Sequence, residues 1–249
     1  MLEILLYGLI AAGAEILGGT LVALRKAWPS RVQEYLLALS AGFLLALVFF
    51  ELLPESIAVL GATASIYVVT GFGLVHFFEH TIVGHLHFGE ETHTDIMLSR
   101  IASLSAFSGL FIHSFFDGVA IAAGLEYKYA IGLLIFLAIL LHKIPEGLTI
   151  ASIMRAANQT RKNSFLASFA VGGATILGIL LMLFIASMGS AAIGVAFAFS
   201  AGAATYVGAS DLIPEINRSK NRIIPFIVFG GMILFYISKQ LLSAYVPNL

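Results

Sequence analysis

Two short motifs place an imidazole and a carboxylate four residues apart within apolar segments. The first is HSFFDG, with His113 and Asp117, and the second is HKIPEG, with His142 and Glu146. Residues four apart on a helix lie on one face, so each motif presents one nitrogen and one oxygen together. Two neutral imidazoles and two carboxylates are ligands that suit a divalent transition metal such as zinc. The motifs therefore predict a four-ligand metal site; core histidines satisfied by neighbouring acids are the alternative.

The composition places these motifs in a membrane. Of the 249 residues, 59% are hydrophobic and only 11% are charged, whereas soluble domains carry about 25% charged residues. An ionisable side chain at the bilayer centre costs about 2.5–3.5 kcal/mol on insertion scales, so it usually faces a cavity or an ion path. The net charge of −1 argues against a nucleic-acid partner. The absence of cysteine excludes disulfides and thiolate metal sites.

Eight segments are apolar over the ~20 residues that a membrane-spanning helix needs. They are approximately residues 2–24, 35–58, 64–80, 98–124, 130–154, 163–187, 190–213 and 223–246. No basic stretch precedes the first segment, so we expect a retained span and not a cleaved signal. We expect a single transmembrane domain over residues 1–249, an all-α polytopic membrane protein without a separate soluble domain.

The basic residues orient these spans. Those that flank one side are Arg25, Lys26, Arg31, Arg100, Arg155, Arg161, Lys162, Arg218, Lys220 and Arg222. Only Lys128 and Lys239 lie on the opposite side, so the positive-inside rule predicts that both termini are extracellular or periplasmic. The loop 81–97 is then cytoplasmic. Its histidines, His85, His87 and His93, either bind metal weakly or belong to an ordinary solvated loop.

Spans 2 and 7 end in similar sequences. Span 2 ends with ELLPE, from Glu51 to Glu55, and span 7 ends with DLIPE, from Asp211 to Glu215. The two spans run in opposite directions under the predicted orientation. Unless the similarity is a coincidence of apolar sequence, it predicts an inverted repeat of spans 1–3 and 6–8 around spans 4 and 5. Secondary transporters often have such repeats, with the substrate site near the membrane midplane.

Other ionisable residues lie along a path through these spans. Glu51 and Glu55 on the outer side, and Asp211 and Glu215 on the inner side, suit cation recruitment and release, or are ordinary interface acids. Residues at the inner end of span 3 that could accept metal leaving the site are His76, Glu79 and His80. Glu15 in span 1 is an isolated acid, suited either to a structural hydrogen bond or to this path.

The paired motifs resemble those of the ZIP (Zrt-, Irt-like protein) family of divalent metal-ion transporters. The family's fourth span carries His-x-x-x-Asp/Glu-Gly and its fifth His-x-x-Pro-Glu-Gly, the patterns that begin here at His113 and His142. The resemblance covers the whole chain, including the eight spans and the Pro-Glu endings. It implies a 3+2+3 inverted-repeat bundle, a primary transport site at His113, Asp117, His142 and Glu146, and a homodimer.

Two positions depart from the commoner family pattern. The residue after each histidine often helps to build a second metal site, whereas here these residues are Ser114 and Lys143. With Asp117 and Glu146, one zinc leaves the cluster neutral, two zincs leave +2, and one zinc with Lys143 leaves +1. We therefore expect Lys143 to take the place of a second metal, to pair with both carboxylates and to leave a mononuclear site. A lysine that reaches the membrane interface, or one that titrates during transport, is the alternative.

The sequence thus predicts a non-enzymatic carrier that moves divalent metal into the cytoplasm through the cell membrane by alternating access. The metal is the bound substrate and not a cofactor; Zn²⁺ is expected first, with Fe²⁺, Mn²⁺ and Cd²⁺ as further candidates. The main alternative is an intramembrane zinc hydrolase, which would need an open coordination position and a base, and HExxH is absent. A proton-coupled carrier of an organic substrate is a third hypothesis, which leaves the matched four ligands unexplained.

Overall fold

The computed structural model describes residues 1–24, 30–78, 100–186, 189–217 and 221–245, and within them every regular element is helical. The α-helices are α1 (Leu2–Leu24), α2 (Ser30–Leu47), α3 (Leu53–Leu60), α4 (Ala64–Phe77), α5 (Arg100–Tyr127), α6 (Tyr129–Ala156), α7 (Arg161–Ala186), α8 (Ser190–Tyr206), α9 (Ile213–Asn217) and α10 (Ile224–Tyr245). The expected all-α class is confirmed.

Seven helical stretches in the described part of the chain are long and apolar enough to cross a membrane. One of them, Glu34–Phe77, has 44 residues. As a straight helix it would extend about 66 Å at 1.5 Å per residue, about twice the thickness of the hydrocarbon core. Gly61, with φ 61°, interrupts this stretch between α3 and α4, in a conformation that glycine adopts without strain. The sequence predicted two spans, 35–58 and 64–80, where the structure has the single stretch Glu34–Phe77. This accounts for the difference between eight predicted spans and seven stretches.

The two similar span endings have the same local structure. A π-helical segment, Val48–Leu52, joins α2 to α3, and another, Val207–Leu212, joins α8 to α9. Pro54 and Pro214 follow closely after these segments. Proline has no N–H and its ring crowds the preceding turn, and a π-bulge widens the turn to accommodate this.

The helices pack in matched pairs. α1 packs on α6 as α5 packs on α7, and α2 packs on α10 as α4 packs on α8. In the α2–α10 contact Gly42 faces the carbonyl of Val228, and in the α4–α8 contact Gly202 faces the carbonyl of Val68. A Cβ at either glycine would clash with that carbonyl, so these helices approach each other backbone to backbone. The two contacts involve corresponding residues of spans 2 and 7.

Candidate metal centre

The two sequence motifs meet between α5 and α6. Only Lys128 separates these helices, so they are antiparallel neighbours. His113, Asp117, His142 and Glu146 are all buried, and one ligand atom from each lies within 4.8 Å of the others. Tetrahedral zinc with bonds of 2.0–2.2 Å holds its ligand atoms about 3.4 Å apart. Small inward movements of these side chains would therefore complete a coordination sphere.

Asp117 lies at the centre of this group. Its Oδ2 is 3.4 Å from His113 Nε2 and 3.2 Å from His142 Nε2. His142 Nδ1 lies 2.9 Å from the carbonyl oxygen of Ala138. Because a carbonyl only accepts, Nδ1 carries the hydrogen, and in the neutral ring the lone pair lies on Nε2, facing the carboxylate. A cation between Nε2 and Oδ2 would satisfy both atoms, and a backbone partner at the other ring nitrogen is typical of a metal-ligating histidine.

Lys143 is fully buried beside these ligands. Its Nζ lies 2.9 Å from Asp117 Oδ2, 2.7 Å from Glu146 Oε2 and 3.2 Å from Glu15 Oε2, and it also donates to Ser114 Oγ. The sequence predicted two carboxylate partners for this ammonium, and the structure has three. The side chain lies inside the bundle and does not reach its surface. Asp117 and Glu146 thus face both the two imidazoles and a built-in cation.

Glu15 is the residue of this cluster that the sequence reasoning did not assign to it. Its side chain is fully buried, and its Oε2 accepts a hydrogen bond of 3.1 Å from Ser114 Oγ as well as pairing with Lys143. Glu15 reaches the cluster because its own carbonyl lies against Gly147, where a Cβ would clash. A signal was present in the sequence, since an ionisable residue inside an apolar span usually has a specific partner.

The predicted outer acids have lysine partners. Glu51 is buried and forms an ion pair with Lys239 of α10. Glu55 accepts a hydrogen bond of 3.1 Å from Lys128, and this bond raises the pKa of Lys128 above its ordinary value. Lys128 and Lys239 are the two basic residues that the sequence placed on the same side as these acids, but it did not predict the pairs.

Asp211 and His76, two of the remaining predicted path residues, are not members of the four-ligand group. Asp211 lies in the second π-helical segment and Glu215 in α9. The ring of His76 packs against that of Tyr206, with centroids 5.7 Å apart. The predictions that fall outside the described residues concern Glu79, His80, His85, His87 and His93.

A family model described as ZIP Zinc transporter matches residues 79–239, a range that contains both motifs and the four buried candidate ligands. The chain belongs to the ZIP zinc transporter family. The resemblance inferred from the motifs is confirmed, and with seven membrane-capable helical stretches in its described part this ZIP family member is a multi-pass membrane protein.

Curated relatives carry the same family name. The chain is 29% identical to Zinc transporter ZIP9 of Micropogonias undulatus over 169 residues, which cover 64% of this chain and 53% of that protein. It is 29% identical over 171 residues to Zinc transporter ZIP9 of Xenopus tropicalis, covering 64% and 54%. For the protein of that name from Macaca fascicularis, the identity is 31% over 120 residues, covering 44% and 50%. The chain spans about half the length of the curated relatives it matches.

Proposed function

We propose that this chain carries divalent transition-metal ions across a membrane, with zinc as the first substrate. The observation that carries the proposal is the convergence of four buried ligand atoms, two nitrogens and two oxygens, on adjacent antiparallel helices. This donor set also accepts Fe²⁺, Mn²⁺ and Cd²⁺, because it is neither purely soft nor purely hard. The metal would be the transported substrate and not a resident cofactor.

We propose that the bound state is mononuclear, with Lys143 in the place of a second metal ion. The ammonium lies within 3.2 Å of three carboxylates. A second dication at that position would displace it or be repelled by it. Ser114 is the other departure from the family pattern. Its hydroxyl donates to Glu146 and accepts from Lys143, so it serves as a hydrogen-bond partner of this ammonium.

Eight spans in a 3+2+3 inverted repeat form the proposed scaffold, with the Glu34–Phe77 stretch counted as two spans. The matched helix pairs, the two π-helical segments and the corresponding glycine contacts support this arrangement. The basic residues favour termini outside and a cytoplasmic loop 81–97. Alternating access between the repeats would then release metal to the cytoplasm. A cell-membrane location and a homodimer belong to the same proposal.

The groups around the candidate metal centre favour transport over intramembrane hydrolysis. A zinc hydrolase needs a coordination position open to water and a base beside it. Here both motif carboxylates are in the four-ligand group, and the two ionisable groups beside them, Glu15 and Lys143, are paired with each other. The matched family is one of transporters and not of enzymes.

The test is uptake of radiolabelled zinc into proteoliposomes that contain the purified protein. Uptake is expected from the unsubstituted protein and from Glu126→Gln, which changes an exposed acid. His142→Ala and Glu146→Ala are expected to reduce uptake to that of protein-free liposomes while the protein remains folded. Unchanged uptake in both ligand variants would contradict the proposal, and zinc-dependent hydrolysis without uptake would support the alternative.

A further inference from the structure

Glu15 lies in the buried cluster although it belongs to neither sequence motif. We propose that Glu15 is a positioning residue that holds the Lys143 ammonium and sets the charge of the cluster to match one dication. The inference rests on the proposed metal site and deepens it, because it assigns the number and charge of the ions that the site accepts.

The contacts of Glu15 connect it to the ligand group through two intermediates. Its Oε2 accepts from Ser114 Oγ at 3.1 Å and pairs with Lys143 Nζ at 3.2 Å. Ser114 in turn donates to Glu146 Oε1 at 3.2 Å, and Lys143 pairs with Asp117 and Glu146. Glu15 itself is not within the four-ligand group. It therefore acts on the metal ligands through Ser114 and Lys143.

The formal charges explain why this third carboxylate is needed. Glu15, Asp117 and Glu146 contribute −3 and Lys143 contributes +1, so the cluster without metal carries −2 and with one dication it is neutral. Without Glu15, the loaded cluster would carry +1. Because all these groups are buried, an uncompensated charge here is costly. Glu15 thus balances the lysine that stands where a second metal would otherwise bind.

The other side of the bundle offers no equivalent group among the described residues. Gly118 on α5 faces the carbonyl of Thr175 on α7, as Gly147 on α6 faces that of Glu15 on α1. Thr175 is the structural counterpart of Glu15, but it is neutral, and its Oγ1 has no hydrogen-bond partner in the part of the chain that the structure describes. The compensating charge therefore comes from α1.

A charge-rescue cycle tests this role. Zinc affinity is measured by calorimetry on purified protein for the unsubstituted chain, Glu15→Gln, Lys143→Met and the double variant. Glu15→Gln is expected to weaken zinc binding by about tenfold or more, since one charge is left unbalanced in a medium of low dielectric constant. The double variant restores the charge of −2 and is expected to bind within about threefold of the unsubstituted protein. Glu126→Gln is the control for loss of an exposed carboxylate.

The rescue separates charge balance from packing. If Glu15 only fills space, the double variant will bind zinc as weakly as Glu15→Gln, and that result would overturn the inference. Zinc affinity that is unchanged in Glu15→Gln would overturn it as well. If Glu15→Gln does not fold, the double variant, which removes both ends of an ion pair, gives the same decision from its own affinity. Absence of zinc binding by the unsubstituted protein, or binding insensitive to His142→Ala, would contradict the proposed metal site itself.

Discussion

Two helix contacts in this bundle have the same backbone packing and different chemistry. Where α1 meets α6, Gly147 lies against the Glu15 carbonyl, and Gly18 lies against the Ile144 carbonyl. Where α5 meets α7, Gly118 and Gly178 make the corresponding contacts with Thr175 and Phe115. In both places a missing side chain allows two helix backbones to touch.

The side chains at these two contacts differ in charge. The α1–α6 contact carries the ion pair between Glu15 and Lys143, whereas the α5–α7 contact carries the neutral residues Thr175 and Ser114 at the corresponding positions. One imidazole and one carboxylate come from each side, so the proposed ligands are distributed evenly. The comparison shows that the scaffold can be nearly symmetric while the cluster is asymmetric, with its built-in cation on one side only.

The largest effect is expected from removing either imidazole. His113→Ala and His142→Ala each remove one of four ligands, so each is expected to weaken zinc binding by about 100-fold or more, beyond what outer-sphere changes cost. Calorimetric titration of the purified variants measures this. A large loss for one histidine and none for the other would show that the two sides do not contribute equally to the ligand set.

The next effect is on helix contact. Gly147→Ala and Gly118→Ala each place a Cβ against a backbone carbonyl, at Glu15 and Thr175 respectively. Each is expected to lower the free energy of unfolding by about 1–3 kcal/mol, measured by thermal or denaturant unfolding in detergent. Gly147→Ala is also expected to weaken zinc binding more than Gly118→Ala, because it moves Glu15 away from Lys143.

A matched control exists for these glycine variants. At Gly13 on α1 and Gly173 on α7, an added Cβ would meet no neighbouring atom within 4 Å. Gly13→Ala and Gly173→Ala are therefore expected to be neutral or slightly stabilising, because alanine has the higher helix propensity. Destabilisation by these two changes equal to that at Gly147 would contradict the assigned backbone contacts.

Ser114→Ala is expected to have a smaller effect. The Ser114 hydroxyl has one hydrogen to share between Glu15 Oε2 at 3.1 Å and Glu146 Oε1 at 3.2 Å, and it accepts from Lys143. Loss of the hydroxyl leaves buried charged groups with fewer hydrogen-bond partners. This is expected to lower the free energy of unfolding by about 1–3 kcal/mol. Thermal unfolding measures this, and an unchanged midpoint would mean that the hydroxyl is not part of the network.

The smallest effect is expected at the counterpart position. Thr175→Val replaces a buried hydroxyl that has no partner among the described residues with a methyl group of similar size. It is not expected to destabilise the protein, because a buried hydroxyl without a partner costs free energy, and it should leave zinc affinity unchanged. A marked loss of zinc affinity would place Thr175 in the site and weaken the contrast between the two sides.

The four-ligand group could be predicted from the sequence because it depends only on helix geometry. The spacing of His113 and Asp117, and of His142 and Glu146, fixes each pair on one helix face, and the short loop between the predicted spans 98–124 and 130–154 makes the two helices neighbours. Local rules therefore lead directly from the motifs to the four-ligand group.

Contacts between distant parts of the chain could not be anticipated in this way. Glu15 meets Lys143 only because α1 packs on α6 at Gly147, and no local pattern states which face of α1 turns toward α6. The same holds for the ion pair of Glu51 with Lys239. Hydrophobic patterning gives little help, because nearly every face of a membrane helix is apolar.

The most direct test of the central claim is the zinc K-edge X-ray absorption spectrum of the purified protein loaded with one equivalent of Zn²⁺. Two imidazole nitrogens and two carboxylate oxygens should appear at about 2.0–2.2 Å, with no zinc neighbour at the ~3.5–4 Å of a two-metal site. The imidazole contribution should disappear in His142→Ala combined with His113→Ala. A spectrum without imidazole, or with a second zinc nearby, would contradict the proposed single-ion site.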